Sequence, residues 1–272
     1  MSRYLARRPG TVRALLFTAG LAVLFGGPVA VLAVYALAPG WSFPHLVPER
    51  FDPRALELAL AQWRPMALHL GSSVAYSLCA TLLSLLLCLA PAHHLARREF
   101  RGRAVVEALL LAPALVPAMT FSMGVHTAFI RIGLADTFVG VVLVLTVFAA
   151  PYMLRALVTG YQSFGEDYDL CARNLGAGPL TRLWRVELPL LVPAALAGAT
   201  VVFLVAFSEY FLVFLIGGGA VPSFTGYLFP ALGSSNRGYA AVLTLVFLAV
   251  PLVLFVAVEA LASAAQRRRG LG

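Results

Sequence analysis

The chain has 272 residues, 61% of them hydrophobic and only 12% charged, with a formal net charge of +8. A soluble domain carries about 25% charged residues, so a soluble enzyme or binding domain is excluded, and the apolar runs do not alternate as the strands of a membrane β-barrel would. None of the twenty basic residues is lysine, which rules out a Walker A loop, a Schiff-base lysine and a Ser-Lys pair; if ATP drives this protein, another chain binds it.

Six apolar stretches, roughly 14–38, 72–96, 104–128, 137–158, 191–215 and 239–262, are expected to be membrane helices. About 20 apolar residues cover roughly 30 Å of hydrocarbon. The first follows a basic start (Arg3, Arg7, Arg8, Arg13). It exceeds the 7–15 residues typical of a signal-peptide core, so it reads as an anchor. The following loop, 39–71, holds Trp41, Phe43 and Trp63, aromatics of the kind that anchor helix ends at the interface. Within it, residues 52–63 are expected to form a short amphipathic helix. Cys79, Cys88 and Cys171 show neither metal-ligand nor disulfide spacing. His93 and His94 are adjacent and so point apart on a helix, which argues against a metal pair. Glu107 beside Arg103, and Glu259 near the end of the last helix, read as interfacial acids. His126 is a candidate hydrogen-bonding group on a substrate pathway. Pro113, Pro117, Pro151, Pro193 and Pro251 are expected to interrupt the third to sixth helices, a break that membranes tolerate where it lines a cavity.

Glu209, in AFSEYFLVF, is the one carboxylate well inside an apolar run. A charge there costs about 2.5–3.5 kcal/mol on insertion scales. It either faces a cavity, meeting a cationic substrate or forming a gate, or it is satisfied between helices, with Arg131 as a partner. Residues 216–238 are rich in Gly, Ser and Pro and read as a re-entrant or capping loop. No internal repeat is visible, so a carrier built of inverted repeats finds no support.

With the N-terminus inside, fifteen arginines fall on inner segments and five on outer ones. The positive-inside rule then puts both termini, and the segment 166–189, in the cytoplasm. The charge is topological rather than a nucleic-acid footprint. In that segment Glu166, Asp167 and Asp169 gather at a helix start, where a dipole favours acids. Gly176 stands where a helix C-cap glycine is wanted, and Pro179 where a second helix begins. Leu180, Leu183 and Trp184 make a one-sided apolar face, with Arg182 and Arg185 off it. Two short helices forming an apolar and basic knob suit docking into a partner's groove.

The pattern Ala172, three residues, Gly176, nine residues, Val186, one residue, Leu188-Pro189 resembles the "EAA" loop of permease subunits of type I binding-protein-dependent ABC importers. Leu170 stands where that loop has Glu and Cys171 where it has its first Ala; Asp169, one residue early, is placed to supply the acid. The resemblance runs from about residue 70 to 260 and includes the GLADT turn at 133–137 and Pro151-Tyr152. It implies an all-α, six-helix permease fold in a single transmembrane domain over 1–272, with a core at about 70–262. It also implies a coupling loop in which Asp169, Cys171, Ala172, Gly176, Arg182, Val186, Leu188 and Pro189 meet an ATPase. The implied partners are two ATPase subunits carrying the ATP, a second permease chain (a different one in preference to a second copy), an external binding protein and the bacterial inner-membrane bilayer. No cofactor is expected on this chain, nor any enzymatic activity. Glu209 makes the chain most similar to the spermidine/putrescine-type group, implying a polyamine or another small cation. Importers of thiamine, ferric iron or phosphonates share most other features. A membrane-embedded enzyme would need a nucleophile–base pair or acids clustered at one depth; the apolar runs show a single clear acid, Glu209, and no Gly-x-Ser-x-Gly.

Overall fold

The structure is a computed structural model describing residues 10–41, 45, 47–48 and 50–268. Arg3, Arg7, Arg8, Phe43 and Arg269 lie outside the described residues, as do the side chains of Glu259, Arg267 and Arg268. The described residues form helices and no strand: α1 (Gly10–Leu37), α2 (Arg54–Ala61), α3 (Trp63–Arg97), α4 (Arg103–Leu115), α5 (Ala118–Ile132), α6 (Phe138–Ser163), α7 (Asp167–Asn174), α8 (Pro179–Arg182), α9 (Leu188–Ser208), α10 (Phe211–Gly217), α11 (Phe224–Leu232) and α12 (Arg237–Arg268). A π-helical turn, Leu183–Glu187, joins α8 to α9.

Five helical stretches are long and apolar enough to cross a membrane, and α4 with α5, bent by 100°, make a sixth if taken as one span. The bend has a local cause. Val116 precedes Pro117 and is extended (φ −88°, ψ 132°), the region into which a following proline pushes its neighbour. The expectation of five proline breaks is corrected here. Pro113, Pro151, Pro193 and Pro251 lie inside helices that continue through them. The second span also begins earlier than expected, at Trp63, directly after the amphipathic α2.

The chain divides into two compact units, one reaching to Trp63 and including Leu228–Val250, the other Arg64–Tyr227 with residues from Pro251 onward. In the first, small side chains let backbones approach. Ala36, Ala55, Ala59, Ala241 and Val242 form its core, and a Cβ on Gly238 would stand 2.5 Å from that of Pro39. Tyr239 donates to Gln62 Oε1 at 3.0 Å.

The second unit is organised on α6 and α9. Met153, Leu157, Tyr161, Leu191 and Val202 are buried together. A Cβ on Gly160 would lie 2.5 Å from Ala194 Cβ, and one on Gly198 2.9 Å from Ala156 Cβ. Such glycines permit the close helix contact that substitutes, in lipid, for a hydrophobic driving force. Polar side chains of α3 add links to the backbone of α6: Ser84 Oγ donates to Thr146 O at 3.4 Å, and Cys88 Sγ to Ala150 O at 3.5 Å. At the start of α6, Thr137 Oγ1 accepts the Gly140 N–H at 3.0 Å, supplying an N-cap.

Candidate functional site

Between α6 and α9 the chain leaves its apolar path and builds a compact foot, residues 164–187. Asp167 and Asp169 lie in the first turn of α7. At its other end the Ala177 N–H donates to Ala172 O at 3.0 Å and the Gly176 N–H to Arg173 O at 2.9 Å, the paired bonds of a Schellman motif. Gly176 takes the left-handed φ of +78° that this motif requires. Gly178 is extended, and Pro179 opens α8.

One acid and one base of the foot turn to each other, while Glu166, Asp167, Arg173 and Arg185 are exposed. Asp169 Oδ1 lies 2.8 Å from Arg182 Nε, the two side chains only 21% and 20% exposed. Asp169 therefore braces the foot from within, with about a fifth of its side chain exposed. Apolar residues face out as well: Leu175 is 87% exposed, Leu180 70% and Trp184 67%. Cys171 is also exposed, Ala172 is buried, and Val186, Leu188 and Pro189 are half-buried where the foot passes into α9.

Glu187 and Tyr161 stand outside the sequence expectations. Glu187 is buried at the end of the π turn, and Tyr161 Oη donates to its Oε2 at 3.3 Å. The one sequence signal was an acid directly before Leu188-Pro189. The edge of the His93 ring packs on Tyr161 (5.1 Å between centroids), and His94 packs on Phe100 (5.0 Å). No cluster of metal-binding side chains occurs among the described residues. Glu107 and Arg103, neighbours in the sequence reading, take different partners. Arg103 pairs with Glu99 one turn back, and Glu107 lies 4.0 Å from Arg155 on α6.

The candidate pathway residues are placed differently from one another. The fifth span does not run to 215. It stops at Ser208, Glu209 is extended (ψ 114°), and α10 starts two residues later. Glu209 Oε1 accepts the Leu212 N–H at 3.3 Å, so the carboxylate satisfies an amide at the start of α10, where the helix dipole favours it. Its backbone carbonyl accepts from Thr225 Oγ1 at 3.4 Å, while Ser73 Oγ accepts the Phe224 N–H at 2.8 Å and meets Tyr76 Oη at 2.9 Å. Within the expected re-entrant loop, Phe224 and Thr225 are thus pinned to Ser73 on α3 and to the break. His126 is half-buried on α5, and among the described residues no hydrogen bond or ion pair joins Glu209 to His126 or to Arg131.

The fold matches the crystal structure of a bacterial ABC transporter involved in the import of the acidic polysaccharide alginate. The TM-score is 0.68 at 16% identity, over 95% of this chain and 98% of that one. This defines the class of fold as that of a type I ABC importer permease. The chain belongs to the family of binding-protein-dependent transport system inner membrane components, whose pattern it matches over residues 87–269. It is thus a multi-pass permease subunit of an ABC importer and not an enzyme. Among its relatives, the molybdate/tungstate transport system permease protein WtpB of Pyrococcus furiosus is 26% identical over 72% of this chain and 77% of its own length. The molybdenum transport system permease protein ModB of Mycobacterium bovis is 33% identical over 51% of this chain and 57% of its own length. These names speak of molybdenum and tungsten, not of a polyamine.

Proposed function

We propose that this subunit forms half of a translocation pathway for a small tetrahedral oxyanion of the molybdate and tungstate kind. In this reading it is driven through the foot by an ATPase. Both termini and the foot lie in the cytoplasm of a bacterial cell, below the inner membrane. A second, different permease chain completes the pathway, two ATPase subunits hold the ATP, and an external binding protein delivers the anion. The observation that carries the coupling is the outward apolar triad Leu175, Leu180 and Trp184 on a foot braced by the Asp169–Arg182 pair. A soluble partner's groove could bury those side chains at about 25 cal/mol per Å² of apolar surface. Asp169 and Arg182 keep the foot in shape, Gly176 ends α7, and Cys171, Ala172, Val186, Leu188 and Pro189 form its walls and its join to α9.

The oxyanion reading is supported by the names of the two relatives. The polyamine expectation rested on Glu209, one oxygen of which is engaged by the Leu212 amide. In this reading Glu209 shapes the pathway by fixing the α9–α10 break, and His126 is a second lining residue.

The test uses the complete transporter with its binding protein and ATPase in proteoliposomes. Wild type is expected to take up labelled molybdate with ATP, with competition from tungstate and none from spermidine. Trp184→Asp is expected to release the ATPase from the detergent-solubilised complex and to abolish uptake. Spermidine uptake without molybdate uptake would overturn the substrate, and an ATPase still bound and coupled to Trp184→Asp would overturn the docking role.

A further inference from the structure

Glu187 is the one acidic or basic side chain buried among the described residues, at 7% exposure. A carboxylate out of water is costly unless it is bonded, and the bond it has comes from Tyr161, itself 1% exposed. Tyr161 is held in turn. The Arg97 guanidinium lies 6.0 Å from the centre of its ring and 5.1 Å from that of Phe164, close enough for cation–π attraction. The His93 ring packs against Tyr161 as well. Three elements meet at this cluster: the end of α3, the end of α6 and the last residue of the foot.

The π turn is what brings Glu187 there. In a regular α-helix, residues three apart share a face. Trp184 is exposed and Glu187 is buried, and the wider turn, closed by Leu188 N–H to Leu183 O, separates them. Trp184 can therefore point toward a partner while Glu187 points into the protein. Sharp helix bends gather at π turns, and such turns are frequent at functional sites. Left unbraced, this one would absorb a push on the foot as local bending.

We propose that Glu187 is a positioning residue for energy coupling. Its hydrogen bond with Tyr161 clamps the foot to α6, so that force on α7 and α8 moves α6 and α9 as one body. The glycine contacts at Gly160 and Gly198 hold those two helices together above the clamp. The inference rests on the reading of the foot as the ATPase contact and adds the residue pair that transmits its movement.

Spin labels at Thr159 on α6 and Asn174 on α7, in a cysteine-free background, test it in the assembled complex without reference to the transported solute. The native protein should give one narrow separation, unchanged when ATP binds. Tyr161→Phe and Glu187→Leu should give a broad, ATP-dependent one. ATP hydrolysis should continue in both variants while molybdate moved per ATP falls about tenfold, the scale of losing a hydrogen bond to a charged group. Glu187→Gln keeps an acceptor for the tyrosine hydroxyl and should restore the narrow separation. If Glu187→Leu does not assemble, the near-isosteric Tyr161→Phe decides. A narrow, ATP-independent separation in Tyr161→Phe overturns the clamp while leaving the docking reading intact. Continued ATPase binding by Trp184→Asp overturns the docking reading itself.

Discussion

The foot and the Glu209 break are both polar interruptions between apolar helices of the same unit, and they are built in opposite senses. At the break the carboxylate turns to its own backbone, at Leu212, while Leu212, Val213 and Ile216 are buried behind it. At the foot the acid and base turn to each other, and Leu175, Leu180 and Trp184 are left in the open. The break therefore satisfies its groups within this chain. The foot pairs Asp169 with Arg182 and keeps other charges and apolar side chains exposed, the surface that the proposed docking uses. Exposed apolar surface beside a lipid-facing helix means little, but on a polar, glycine-turned projection it marks an interaction site.

The sharpest way to break this contrast is Arg182→Asp. It sets two carboxylates against each other where only about a fifth of each side chain is exposed. Losing the partner of a largely buried group costs about 1–3 kcal/mol, and the added repulsion should open the foot. Transport should be abolished while membrane insertion is normal, as read by uptake and by the amount of protein in the membrane fraction. Asp169→Arg in the same chain should restore part of the activity, because the pair is re-formed with its ends exchanged.

A smaller effect is expected from Gly176→Ala. A left-handed conformation costs an L-residue about 1–2 kcal/mol, and nothing lies within 4 Å of a Cβ there, so the penalty is conformational and not steric. Uptake should fall several-fold, with a lowered thermal midpoint of the ATPase-bound complex. Gly176→Pro, which also removes the N–H bonded to Arg173, should be more severe. The smallest effect belongs to Glu209→Gln. Glutamine retains an acceptor for the Leu212 amide, so the loss is that of a charge near a helix start, about 0.3–1 kcal/mol. Molybdate uptake should stay within about fivefold of wild type by that estimate. A loss of transport with normal assembly would show that the carboxylate meets the solute, and the contrast between the two regions would fail.

The local order of the foot was legible in the residues because it is made of short-range chemistry. Acids at a helix start, a glycine at a helix end and a proline opening the next helix act within a few residues of one another. The apolar spans were legible for a similar reason: their length alone meets the thickness of a bilayer. Which faces are buried was not legible. Side chains along α1 are largely exposed, whereas more than half of the 18-residue apolar window in α6 is buried, yet both helices are apolar all round. Lipid tails are as apolar as leucine, so hydrophobicity does not separate a packing face from a lipid-facing one.

By itself, then, the sequence determined a helical membrane protein carrying a short two-helix projection of set geometry. Tertiary structure alone decided that Asp169 meets Arg182, that Glu209 caps α10 and that Glu187 reaches Tyr161, 26 residues away in the chain. Those pairings depend on a π turn, a helix break and close glycine contacts. A regular 3.6-residue pattern contains none of them, because each is a departure from that pattern selected by packing and by the need to bond a buried charge.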